Sequence, residues 1–357
     1  MSVVAILLCI GIIFIYSSSS VYALERLGAG DYFFKRHIMG LLLGFITFCG
    51  MALVPVNVIK KSSPYLFFIT FILTILTLVP PFSVRIHGSS RWIKLGNFMF
   101  QPSELLKITF LIYISYFISK HSGKLRPLTT LYIPCLILVF FVSAVLLKQP
   151  DFGLTVTIAT TILLVLFLTG TPITYLIATI APALPAIAVL IYTQPYRMKR
   201  IMVFLNPWAD PQGSGFQIIQ SLIAIGSGSW TGAGISHSKQ KFFYLPMLHT
   251  DFIFSIIAEE VGLLGVIIIV ILYIVLLYSG IRIALRLRDP FAQITTLSFI
   301  LVITLQALIN ISVTMGLIPT KGIGLPFISY GNTSLVCMMA MIGFIVAMTY
   351  EDMTCTH

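Results

Sequence analysis

Apolar residues run along this chain in long unbroken blocks, and each block is followed by a short polar or glycine- and proline-bearing break. The blocks lie near 3–18, 37–58, 64–82, 104–119, 128–147, 152–170, 173–192, 252–280, 291–315 and 331–349. A helix needs about 20 apolar residues to cross a bilayer. The alternating pattern of a membrane β-barrel is not what these blocks show, and a helix satisfies its own backbone polar groups in lipid. The pattern therefore predicts an all-α polytopic membrane protein of about ten transmembrane helices. The chain reads as a single integral membrane domain over 1–357, with one large loop at 193–251 between the seventh and eighth spans. Residues 3–16 have no basic leader and no Ala-x-Ala site, so they read as a retained first span.

Composition narrows the function. The chain is 58% hydrophobic and 9% charged, which excludes a soluble globular domain. Its net charge is +11. In a soluble protein that balance would suggest nucleic acid. Here it fits loop charge at anionic headgroups, or recognition of a phosphate-bearing lipid, and no nucleic-acid partner is expected. Cys9, Cys49, Cys135 and Cys337 lie in apolar segments without metal spacing, and with Cys355 they suggest no disulfide framework.

The order of spans puts the loops after spans 1, 3, 5, 7 and 9 on one membrane face. Those at 83–103, 148–151, 193–251 and 316–330 hold nearly all the unusual polar sequence, whereas the opposite loops are plain. Function is thus expected on a single surface. A raw count gives that surface more Lys and Arg, but the positive-inside rule applies best to short connecting loops, so charge alone leaves orientation open.

The first elaborate loop runs from Gly88 through Arg91-Trp92-Ile93-Lys94 to Gln101-Pro102-Ser103-Glu104. Trp92 suits an interfacial anchor, and Pro102, Ser103 and Glu104 suit the first turn of a helix. Lys107, one turn inside the fourth span, is costly in lipid unless it meets a partner or a polar cavity. Glu104 at i−3 is that partner. In the second loop, Asp151 stands at the mouth of span six, where a helix N-cap would explain it.

The third loop carries Tyr196-Arg197-Met198-Lys199-Arg200. Arg197 and Arg200, at i,i+3, suit a diphosphate or an amphipathic turn on anionic lipid. Gln217 and Gln220 have the same spacing. Gly226, Gly228, Gly232 and Gly234 form either a flexible loop or a close approach to a ligand, and no P-loop lysine follows them. Asp251 opens span eight after His249-Thr250, and Glu259 and Glu260 follow inside the same helix. Intramembrane carboxylates at these positions should face the bundle interior or a pocket. His249 has no second ligand at helical spacing, so no metal site is expected there. The last loop, Ile318-Pro319-Thr320-Lys321-Gly322 to Ser329-Tyr330-Gly331, suggests a re-entrant lid.

Taken in order, Arg91 to Lys107, Gln149 to Gly153, Tyr196 to Gly262 and Gly316 to Ser334 closely resemble the SEDS family of bacterial envelope proteins, the group of FtsW, RodA and SpoVE. Asn206 to Pro211 and Ile318 to Gly322 are more similar to the division-type FtsW branch than to RodA. The resemblance implies a ten-span fold with cytoplasmic termini, in the bacterial cytoplasmic membrane, with the elaborate face extracytoplasmic. It implies a peptidoglycan glycosyltransferase that polymerises lipid II into β-1,4-linked strands. The partners it implies are a class B penicillin-binding transpeptidase and other divisome membrane proteins. The family's catalytic aspartate falls on Asp251. Two positions depart from the family pattern: Met247 stands where a glutamate is common, and Gly331-Asn332-Thr333-Ser334 replaces Gly-Gly-Ser-Ser.

On this reading Asp251 is the general base, and Trp92, Glu104, Lys107, Asp151, Arg197, Arg200, Gln217, His249, Lys321 and Ser329 bind substrate. An aspartate of ordinary pKa about 3.9 is ionised at neutral pH and can accept the proton of an attacking sugar hydroxyl. A divalent cation could share the diphosphate's charge, although no ligand set declares one. The rival reading is a lipid II flippase, which would spread charge through the membrane depth. A RodA-like elongation polymerase and a scaffold for the transpeptidase are further alternatives.

Overall fold

A computed structural model of the chain describes residues 1–80, 83–86, 89–95, 98–121, 128–240 and 250–354. The described helices are α1 (Ser2–Leu27), α2 (Tyr32–Leu53), α3 (Val56–Leu76), α4 (Pro102–His121), α5 (Ile133–Lys148) and α6 (Phe152–Leu168). They continue as α7 (Ile173–Tyr192), α8 (Pro195–Leu205), α9 (Phe216–Ser227), α10 (Ile253–Arg286), α11 (Pro290–Thr314) and α12 (Asn332–Thr354). All apart from α8 and α9 fall on the ten predicted spans. Among the described residues, eight helical segments are long and apolar enough to cross a membrane. The other two predicted spans are α6, which has 17 residues, and α4, whose apolar run is interrupted by Glu104 and Lys107.

The loop at 193–251 is built rather than slack. Pro195 sits in the first turn of α8, where its missing N–H costs nothing. A 3₁₀ turn (Pro207–Ala209) and α9 follow. The loop at 83–103 holds three short antiparallel strands, β1 (Val84–Ile86), β2 (Ser89–Leu95) and β3 (Phe98–Phe100), in the order β1-β2-β3. Trp92 on β2 pairs with Val84, and Lys94 with Met99.

The chain divides into two compact units. Unit 1 comprises Met1–Gly40, Ile173–Leu276 and Thr304–Asn332, and unit 2 comprises Leu41–Pro172, Leu277–Ile303 and Thr333–His357. In unit 2, α3 packs on α4 through Phe67, whose ring stacks on Phe110 and Tyr113 at centroid distances of 5.2 and 5.1 Å. Thr70 and Thr109 hydroxyls meet beside them at 2.6 Å. The plain loops of this unit are tied by ion pairing and backbone capture. Lys60 binds Asp289 at 3.0 Å, Glu351 accepts from Val56 N, and Asp352 accepts from Arg288 N.

In unit 1 the eighth span is not one regular helix. α10 is broken at Gly262, with φ 64° and ψ −167°, a region open essentially to glycine alone. The break frees two carbonyls and two N–H groups that a regular helix would pair as i to i−4. The segment after α9 satisfies all four. Ala233 N donates to Glu259 O at 2.9 Å and Gly234 N to Glu260 O at 3.0 Å. In return Leu263 N donates to Ser229 O and Leu264 N to Trp230 O. Broken helices survive in lipid only where freed groups find such partners. The glycine-rich run therefore brings backbone against α10, and this is the close approach that its glycines serve.

A methyl group on Gly262 would stand 2.7 Å from the Trp230 carbonyl carbon. Gly262→Ala should combine that clash with backbone strain of about 1–3 kcal/mol. We expect a clearly lower melting temperature for the purified variant, read by size-exclusion after heating. An unchanged melting temperature would mean that the break can close without loss.

Candidate active site

Asp251 lies just before the first turn of α10 and is half-buried, whereas Phe252 and the eight residues after it are buried. Its backbone is pinned from two sides. Asn310 on α11 donates Nδ2–H to the Asp251 carbonyl at 2.9 Å and to the Ile323 carbonyl at 2.7 Å. Ser329 donates its hydroxyl to the Thr250 carbonyl at 2.6 Å and accepts from Leu325 N at 2.6 Å. One turn before Asn310, Gln306 donates to the Gly324 carbonyl at 3.1 Å. One turn beyond it, the Thr314 carbonyl accepts from Ser221 on α9 at 2.6 Å.

The loop between α11 and α12 is thereby fixed against the mouth of α10. Ile323, Leu325, Phe327, Ile328 and Ser329 are buried, as non-helical backbone at this depth requires. Tyr273 donates to the Pro326 carbonyl, and Gly11 of α1 lies against Phe327, where a methyl group would meet the Phe327 carbonyl oxygen at 2.7 Å. Gly322 brings this loop to the carboxylate itself: a methyl group there would stand 3.3 Å from Asp251 Oδ2. Lys321, its neighbour, is partly buried, and burial pulls its ammonium below the usual lysine range.

Both arginines of α8 are engaged by backbone carbonyls. Arg200 donates to the Thr320 carbonyl at 2.7 Å and to the Tyr196 hydroxyl, with its guanidinium 4.5 Å from the Tyr196 ring centroid. Arg197 donates to the Leu190 carbonyl of α7 at 3.0 Å. Arg200 thus ties α8 to the residue preceding Lys321. Gln217 is half-buried in the first turn of α9. Glu259 and Glu260 serve packing. Glu260 accepts from Ser17 of α1 at 2.7 and 2.9 Å, and Glu259 accepts from the Ser238 hydroxyl and from Lys239 N. His249 and Met247 lie outside the described residues.

Unit 2 holds the remaining candidates. Lys107 is 0% exposed and bound to Glu104 at 2.7 Å. Asp151 caps α6 through Leu154 N at 3.1 Å and pairs with Arg91 of β2 at 3.6 Å. Burial raises its carboxyl above the ordinary range, and the Arg91 charge opposes that rise. Arg91 also donates to the carbonyls of Gln149 and Pro150, while Gln149 donates to the Thr74 carbonyl and the Thr77 hydroxyl. Trp92, the next residue on β2, is half-buried. Among the described residues no cluster of three or more His, Cys, Asp or Glu could hold a metal ion.

Residues 1–353 match the family model described as cell cycle protein, which groups FtsW, RodA and SpoVE. This chain belongs to the FtsW/RodA/SpoVE family. One relative in that family, from Geobacter sp. (strain M18), is named "Probable peptidoglycan glycosyltransferase FtsW". It is 41% identical, over 96% of this chain and 93% of its own length. Stage V sporulation protein E of Bacillus subtilis (strain 168) is 38% identical, over 96% and 93%. Among solved structures, one described under structural coordination of polymerization and crosslinking by a peptidoglycan synthase complex matches with a TM-score of 0.81. It is 27% identical and covers 98% of this chain and 96% of that one. The Thermus thermophilus rod shape determining protein RodA matches in fold, with a TM-score of 0.72 at 23% identity over 98% and 95%. The family places the fold as a multi-span membrane protein, in agreement with the pattern of apolar blocks.

Proposed function

We propose that this chain is a division-type peptidoglycan glycosyltransferase that polymerises lipid II on the extracytoplasmic face of the bacterial cytoplasmic membrane. The observation that carries the reading is the Asp251 carboxylate, held by its backbone at a helix mouth beside Lys321-Gly322. The names of its relatives support the same chemistry.

The acceptor sugar hydroxyl attacks the anomeric carbon of the donor. The bond from that carbon to the diphosphate oxygen breaks, and its electron pair leaves on the polyprenyl diphosphate. The hydroxyl proton passes to Asp251, whose carboxylate accepts it as attack begins. One in-line displacement inverts the anomeric centre and gives a β-1,4 bond. Lys321 supplies positive charge for the departing diphosphate, and Arg200 holds Lys321's loop in place. Arg197 and Gln217 line the approach from α8 and α9. Within unit 2, Trp92, Glu104, Lys107 and Asp151 form a separate polar set, in which the buried Glu104, Lys107 and Asp151 act on substrate through their paired neighbours and Trp92 is half-buried; His249 precedes the base in sequence. Ser329 acts on substrate through the Thr250–Asp251 backbone, because its hydroxyl is bonded to the protein in both directions. A class B penicillin-binding transpeptidase would crosslink the strands, and other division membrane proteins would recruit the pair. The structural relative that belongs to a peptidoglycan synthase complex supports such a partnership.

The test is polymerisation of purified lipid II by the purified protein, alone and with its transpeptidase, beside an Asp251→Asn control. Glycan strands from wild type alone or in the complex support the reading. Translocation of lipid II in liposomes without strands would replace it with a flippase.

Burial sets a pH dependence. With its pKa lowered, Lys321 loses its charge, as pH rises, sooner than an ordinary lysine at about 10.4. The alkaline limb of kcat should therefore fall below that value. Lys321→Arg, which stays charged, should move the limb upward. The same limb in both proteins would remove Lys321 from the diphosphate.

A further inference from the structure

We infer that Asn310 is a positioning residue for glycosyl transfer, acting through the Asp251 backbone; this rests on the reading of Asp251 as general base. Its Nδ2 joins two chain segments that otherwise have no covalent reason to stay together, the Thr250–Asp251 approach to α10 and the Lys321–Ile323 stretch. Both acceptors are carbonyl oxygens, so only the amide nitrogen can face them and the orientation of the side chain is fixed. The carboxylate that takes the proton and the lysine that meets the leaving group thus share one clamp.

The amide's other end shows what the side chain is for. Asn310 is 2% exposed, and its Oδ1 is buried without a hydrogen-bond partner. A buried acceptor left unpaired opposes stability. Such a group in a native interior calls for an explanation, and catalytic sites are where proteins tolerate one. The cost is offset only by what Nδ2 holds. Two nearby polar side chains brace the same loop: Gln306 donates to the Gly324 carbonyl, and Ser329 donates to the Thr250 carbonyl while accepting from Leu325 N. Asn310 binds the carbonyl of Asp251 and a carbonyl of the Lys321 loop together.

The experiment measures lipid II polymerisation by the full chain carrying Asn310→Leu or Asn310→Gln, with kcat, KM and the pH profile of kcat. Displacing a reacting group by about 1 Å can cost about 10²-fold in rate. We expect Asn310→Leu to lower kcat by about that factor with KM for lipid II unchanged, and to move the acid limb set by Asp251. Asn310→Gln, which keeps the amide, should recover part of kcat. If Asn310→Leu does not yield folded protein, Asn310→Ser, too short to reach either carbonyl, carries the same test. A merely structural role would scale the whole profile with the amount of folded protein and leave the limb in place, and that result overturns the inference. So does wild-type kcat in Asn310→Leu while Asp251→Asn is inactive. Activity retained in Asp251→Asn would instead overturn the general-base reading on which the inference stands.

Discussion

Replacing Asp251 with asparagine should lower kcat for glycan polymerisation by about 10²–10⁴-fold, the usual contribution of a positioned base. The substitution keeps the shape of the side chain and the backbone carbonyl that Asn310 holds at 2.9 Å. It keeps the Ser329 bond to Thr250 as well. What it removes is the ability to take a proton. A sugar hydroxyl is a weak nucleophile at neutral pH, and an amide oxygen beside it can accept a hydrogen bond but cannot carry the proton away. Substrate binding by the cationic and apolar parts of the site is left intact, so KM for lipid II should change little, and the loss falls on kcat. That division separates a base from a binding group. A variant with normal kcat and raised KM would make Asp251 a substrate ligand, and a variant with neither change would remove it from the reaction.

How much of this was legible beforehand depends on where each partner lies in the chain. The spans were legible because length and apolarity are local. The Glu104–Lys107 pair was legible for the same reason, since three residues on a helix put both groups on one side. Asp151 as a cap was legible from its place before an apolar run. The break in α10 was not. Val261-Gly262-Leu263 reads as uninterrupted apolar helix, and the groups that rescue its backbone come from Ser229 to Gly234, about thirty positions earlier. Strands β1 to β3 are not legible, because β1 and β3 are only three residues long, too short for a strand period to declare itself. The carbonyl partners of Arg197 and Arg200 are not legible, because a backbone carbonyl has no residue signature. Asn310 lies inside an apolar block, and the only local sign of it is that Gln306, Asn310 and Thr314 recur at i, i+4, which marks a polar face on α11. The glutamates after Asp251 stand out in the sequence by charge alone, and their partners, Ser17 and the Ser238–Lys239 segment, show them fastening other segments to α10.

The largest stability effect is expected in unit 2. Lys107→Met should destabilise the protein by about 3–5 kcal/mol, because it leaves the Glu104 carboxylate buried without its cation. The pair is short, 2.7 Å, and neither side chain is more than 11% exposed, so solvent does little to screen what remains. Removing both charges is a different experiment. Glu104→Gln with Lys107→Met replaces two costly ions by neutral groups of similar volume, a change that is often near neutral in a protein interior. The double variant should therefore be more stable than Lys107→Met alone, and its departure from the sum of the two single variants is the coupling of the pair. Denaturation of the purified proteins in one detergent, followed by loss of the folded size-exclusion peak, measures all four corners of the cycle. A double variant as unstable as the sum of the single ones would mean that each charge is held by other neighbours. Recovery in the double variant would show that Lys107 is tolerated at this depth because Glu104 stands one turn away. If the recovered double variant polymerises poorly, the pair is retained for the substrate rather than for the fold.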